Sequence, residues 1–256
     1  MFSKSQAASI LLALFAATAV NAHGAIVAVK GENGVNGQAF GVVDTTPRDG
    51  TKRNPFQTDT SIIRDKEIAS GDAQACGRTL AGGVNDMAAQ MSEASSAGLA
   101  SVGSDGSVTM TVHQVNGDGA GPYTCDVSAD ASGQNFVAMK VTTNVPGQNS
   151  RSQAKAEDFP LVAQMPAGTT CTGGPDGNAC IVRCRNAARA GPFGGCVPVT
   201  NAAEAGAKGK APAKREVTIA EAEEALREDM EKRSVQAEKK RYLRTRVAGV
   251  KAGYWI

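Results

Sequence analysis

Two histidines, His23 and His113, are the only ones in this chain, and their placement suits metal chemistry. His23 follows a stretch that reads as a secretory signal peptide, residues 1–22. Lys4 supplies the positive start and Ala8 to Val20 the apolar run. Val20-Asn21-Ala22 puts small or tolerated residues where a signal peptidase cuts. Cleavage after Ala22 would leave His23 with a free α-amine. That amine and the imidazole Nδ1 can chelate one metal ion, and His113 supplies a second imidazole. Amine, imidazole and imidazole in a T form a copper histidine brace. The bland reading is that a signal peptide must end somewhere, and cleavage one residue away destroys the chelate.

Neutral imidazoles and an amine are good copper ligands, and three of them leave positions open for an oxygen species. Reduction to Cu(I) lets dioxygen or peroxide bind, and the resulting oxidant can take hydrogen from a glycosidic carbon. Phe193 and Tyr123 are the candidates for the axial side. Each sits in a Gly-Pro-aromatic turn near a cysteine, where an aromatic equally plugs a core. Gln114 and Asn116, beside His113, are candidates to hydrogen-bond around the ligands, although such residues also cap turns. Other active sites find less support. A Ser-His-Asp triad would need His113, and no Gly-x-Ser-x-Gly elbow is present. Phosphate-loop and dinucleotide fingerprints are absent too. A paired-carboxylate glycosidase stays open, because spacing in sequence says nothing of spacing in space.

The elements that must position these residues read as all-β from 23 to 200. Runs rich in β-branched residues at Ala25–Val29, Ser107–Val115, Asn135–Val145 and Ala179–Arg183 are separated by Gly, Pro, Asn and Asp clusters. Many short strands with frequent turns predict a β-sandwich with long loops. Asp105-Gly106 predicts a hairpin turn before Ser107. In SVTMTVHQV, Val108, Met110 and Val112 share one face, and Thr109, Thr111 and His113 the more polar other. His113 is thus expected near a strand end on a polar face. Asp86–Ala97 predicts a short helix.

The six cysteines, Cys76, Cys125, Cys171, Cys180, Cys184 and Cys196, predict three disulfides and an oxidising, extracellular or cell-surface setting. Either Cys76 pairs with Cys125, or both cross to the C-terminal cluster. A zinc site at Cys180 and Cys184 lacks a second close pair or a nearby His. Net charge is only +2, which gives no reason to expect nucleic acid. No segment past the leader is long and apolar enough to span a membrane. Aromatics are 4% of residues, with one tryptophan, so a flat sugar-stacking platform is thinly supplied.

Composition changes after Val199. Residues 201–215 read as a flexible linker of Ala, Gly, Lys and Pro. Residues 216–256 read as a charged helical tail, opened by the capping box Thr218-Ile219-Ala220-Glu221. Its dibasic pairs, such as Lys232-Arg233, are sites that a furin- or kexin-type protease cuts.

Three segments carry a resemblance. These are His23-Gly24-Ala25-Ile26, the run from His113 to Cys125 (HQVNGDGAGPYTC), and CIVRCRN at 180–186 with GPFGGC at 191–196. Together they resemble the fungal Egh-type virulence factor family, the appressorium-specific Mas- and Gas-type secreted proteins, over residues 1–200. The resemblance implies a secreted protein made while a fungus penetrates its host, and gives no molecular activity. The layout is also similar to that of lytic polysaccharide monooxygenases. The expected function is therefore virulence-associated, with copper and oxidation of cell-wall or host-surface polysaccharide. The alternatives are a non-catalytic binding protein and a copper-capture protein.

Overall fold

Strict alternation in SVTMTVHQ drives the central strand. Val108, Met110 and Val112 are buried in the core, while Thr109 on the other face is exposed. The computed structural model describes residues 23–202. The leader 1–22, the tail 216–256 and all but the first two linker residues lie outside the described residues.

In chain order the strands and helices are β1 (Gly24–Lys30), β2 (Asn36–Gly37), β3 (Ser61–Ile62), α1 (Asp65–Ser70), β4 (Arg78–Thr79), β5 (Gly83–Val84), α2 (Met87–Ala97) and β6 (Ala100–Ser101). There follow β7 (Ser107–Gln114), a 3-10 turn (Gly117–Gly119), β8 (Thr124–Ser128), β9 (Val137–Thr143), β10 (Glu157–Gln164), β11 (Ala179–Arg185) and β12 (Phe193–Thr200). The fold is all-β, as expected. The strands run β2-β1-β7-β10-β9-β8-β11-β12-β3-β4-β5, and β6 pairs in parallel with β12. Strand β9 pairs with β10 on one side and β8 on the other, so the sheet curls there. Val112 and Leu161 of one half then share a core with Val127, Val182 and Val197 of the other. Each such side chain contributes about 1.5–3 kcal/mol by leaving water.

Strands β8, β10 and β12 lie outside the four runs read from the sequence. In β10 the sequence EDFPLVAQ holds two acids and a proline. Pro160 is tolerated because β10 pairs with β9 only from Val162 onward, leaving that side of residue 160 free. The expected hairpin at Asp105-Gly106 is corrected. A turn forms there, with Gly106 N–H donating to Gly103 O, but β6 pairs with β12 and β7 pairs with β1 and β10. The turn is closed by its own backbone, with the Gly103 amide donating to Ser107 O, and Gln164 Nε2 also donates to Asp105 O. Helix α2 forms as expected. Asp86 caps it by accepting from the Ala88 and Ala89 amides, and Met87 and Met91 pack on Ile181 and Cys196.

All six cysteines are paired, as Cys76–Cys196, Cys125–Cys184 and Cys171–Cys180, so Cys76 and Cys125 both cross to the C-terminal cluster. The first two are 120 and 59 residues apart in sequence. Closing loops of that size stabilises a domain by about 4–5 kcal/mol each in the chain-entropy account.

Glu67 on α1 joins Arg64 and Arg78, and Arg64 donates to the carbonyls of Ala190 and Gly191 in the loop before Phe193. Hydrogen bonds from Arg78 and Arg64 pull the Glu67 carboxyl down to about 2. Its pairing therefore stabilises the fold above the ordinary carboxylate pKa and is lost as pH falls toward 2. Melting temperature is expected to drop over that window, and less steeply in Glu67→Gln.

Candidate metal centre

The two histidines meet because β1 and β7 pair antiparallel. Gly24 faces Gln114 and Ala25 faces His113, and the Val115 amide donates to His23 O at 2.9 Å. His23 is thus opposite Val115, and its side chain emerges on the same face as that of His113, one diagonal step away. Such neighbours are about 7–8 Å apart at the backbone, within reach of two imidazoles. Gly24 lies against the Tyr123 hydroxyl and Gly119 O, which occupy the place of any Cβ there. A Gly119 Cβ would likewise meet His23 O. Replacing either glycine with alanine is expected to push these segments apart and lower the melting temperature by several degrees.

His113 is 3% exposed, on the face opposite the main core as alternation predicts, yet buried rather than solvated. Asp158 is its direct cross-strand partner, and His113 Nδ1 lies 2.6 Å from Asp158 Oδ1. A proton on Nδ1 donates to this carboxylate and leaves the Nε2 lone pair free. His113 Nε2 is buried without a hydrogen-bond partner, and so is His23 Nδ1. These are the two ring nitrogens a brace would use. Burial, with the positive charge of Arg53 added, pushes the His23 imidazole down to about 4. It is neutral at pH 7 and keeps its lone pair.

Asn116 accepts a hydrogen bond from His23 N at 2.8 Å through Oδ1, while its Nδ2 is buried and unpartnered. Its side chain does not cap the turn that follows. Gln114 points to the face away from the imidazoles. There its Nε2 donates to Ser152 Oγ and Ala154 O and ties β7 to the loop before β10. Of the two aromatic candidates, Phe193 lies against His23, with ring centroids 4.6 Å apart and a 35° tilt. Tyr123 is buried, and its hydroxyl donates to Gly119 O at 2.9 Å. Burial also holds that phenol protonated.

Two residues of the site carried no sequence signal of their own. Asp158 is one, in a strand whose composition hid it. The other is Asn186, within the CIVRCRN segment. Its Nδ2 donates to Asp118 O and Ala120 O, and its Oδ1 accepts from the Ala188 and Phe193 amides. It thereby ties the loop under His23 to the loop carrying Phe193. Among the described residues no group of three His, Cys, Asp or Glu side chains is placed to hold a metal. A third nitrogen donor would have to be the amine of His23. Here the residues fit copper: two buried, unpartnered imidazole nitrogens on one face beside the chain nitrogen of residue 23.

The Egh16-like virulence factor family matches residues 21–194, which span every residue of this site. The chain belongs to that family. This Egh16-like protein is 48% identical over 195 residues to Appressoria-specific virulence factor GAS1 of Pyricularia oryzae, covering 73% of this chain and 75% of that one. It is 37% identical over 257 residues to Appressoria-specific virulence factor GAS2 of the same fungus, covering 75% and 88%. No solved structure matches the Egh16-like chain significantly. No helix among its described residues is long and apolar enough to cross a membrane.

Proposed function

We propose that this Egh16-like protein is secreted, serves in host penetration, and in its mature form holds one copper ion between His23 and His113 for oxidative action on polysaccharide. The virulence role is carried over from the names of the relatives. Three disulfides favour an oxidising, extracellular setting. The observation that carries the copper reading is the pair of buried, unpartnered nitrogens, His23 Nδ1 and His113 Nε2, on one face of adjacent strands. Bound copper would supply one-electron redox chemistry toward dioxygen or peroxide.

The chain's own residues do the rest. Cleavage before His23 converts a peptide nitrogen into an amine at the same place, where Asn116 Oδ1 accepts one of its protons. Asp158 fixes the tautomer and ring plane of His113. Phe193 shields one side of the His23 ring from water.

Amino-terminal sequencing and a Cu(II) titration of tag-free mature protein test the proposal. A first residue other than His23 ends the brace reading. Asp158→Asn is expected to weaken copper about 10–100-fold, the usual cost of removing a carboxylate that orients a ligating histidine. Competition with a chelator of known affinity measures it. Tight binding with no oxidised oligosaccharide from chitin, cellulose, xylan or pectin, given reductant, would favour copper capture.

A further inference from the structure

A groove of about 630 Å³ is walled by Asp118, residues 148–153 and residues 187–189. Its size is that of a small-ligand cleft, but its lining is polar. The same loops build the site. Gly119, next to Asp118, packs on His23 O, and the 187–192 loop leads into Phe193. The groove therefore borders the loops that hold His23 and Phe193. Its floor is fixed: Ser150 is buried, donates from its amide to Gly121 O and accepts from the Ala187 amide. Asn149 and Ser150 both hold left-handed backbone, φ 51° and 62°, which turns the exposed side chains of Gln148, Arg151 and Gln153 to its rim.

No aromatic lines the groove, so a sugar ring has nothing to stack on there. What it offers is amides, hydroxyls and two guanidinium groups. Arg151 is two-thirds exposed and touches the mostly buried Asp118 only at 3.5 Å, through Nε. Its outer N–H fork faces solvent. Arg189 is exposed and makes no ion pair among the described residues, and the same holds for Lys155 in the adjoining loop. The carboxylates Glu157 and Asp158 lie on the β10 side, where Asp158 is engaged by His113. A planar fork pairs with a carboxylate through two parallel hydrogen bonds, and amides serve sugar hydroxyls.

We infer that this groove binds an acidic polysaccharide, a polyuronate with a carboxylate on each sugar, beside the loops that hold His23 and Phe193. As the substrate class of that site the inference rests on the copper reading, whereas glycan binding itself needs no metal. Calorimetry on metal-free mature protein tests it with a galacturonic acid oligomer, a neutral galactose oligomer of equal length, and dextran sulfate. The uronate is expected to bind at least about tenfold tighter than either, and more weakly as salt rises. Arg151→Ala with Arg189→Ala should cost at least about tenfold, with unchanged melting temperature and unchanged copper affinity. Arg189→Gln alone should weaken binding in the same direction and guards against a folding defect in the double variant. Absent uronate binding, equal binding of the neutral or sulfated glycan, or full affinity in the double variant would each overturn the inference. Copper is titrated separately, so failure of the metal reading shows as absent copper binding and failure of the groove as absent glycan selectivity.

Discussion

Mature protein carrying a long polar extension, free of histidine, before His23 is expected to lose at least about a hundredfold in Cu(II) affinity, or about 2.8 kcal/mol. Its melting temperature should not change. The extension turns the amine of His23 back into an amide, a poor ligand, and removes the two-point chelate. It leaves the fold alone, because an amide at residue 23 keeps the bond to Asn116 Oδ1, and the Val115 amide still donates to His23 O. Parallel calorimetric titrations of the tag-free and extended forms measure the difference. Equal affinity would place copper elsewhere or nowhere. His113→Ala should lose copper comparably but is the less clean probe. A histidine on a solvated strand face would cost little to remove. His113 is buried and bonded to Asp158, so alanine there leaves a cavity and loses that bond, at a folding cost of about 2–3 kcal/mol.

Asn186→Ala is expected to destabilise the domain by about 3–5 kcal/mol and to weaken copper binding with it. The side chain is buried and makes four hydrogen bonds, two donated to carbonyls of the 118–120 segment and two accepted from the Ala188 and Phe193 amides. Alanine can replace none of them and is too small to exclude water cleanly. The loop under His23 and the loop carrying Phe193 would then drift apart, and the His23 ring would lose its packing partner. Denaturant unfolding reads the stability and copper titration the site. A loss below about 1 kcal/mol would mean that water restores the network, and that the loops are held by Arg64 and the disulfides instead.

Local patterning determined a good deal here. Alternation in SVTMTVHQ placed β7 and put His113 on the face opposite Val108, Met110 and Val112, because side chains in a strand alternate with period two. The run Asp86–Ala97 marked α2, and an even cysteine count anticipated three bridges. The segments around His23, His113 and Phe193 carried the family. The register between β1 and β7 is a long-range pairing with no local signal, and only tertiary structure brings His23 diagonal to His113. The neighbour of His113 on its other side is β10, whose acids and proline disguise a strand that survives because one side of Pro160 needs no donor. Asp158 became a partner of His113 through that same pairing. The choice between Phe193 and Tyr123 beside His23 was equally beyond the sequence, since both sit in Gly-Pro turns. Packing decided it: Tyr123 finds a carbonyl for its hydroxyl at Gly119 and stays inside, while Phe193, with no polar atom to satisfy, closes over the imidazole.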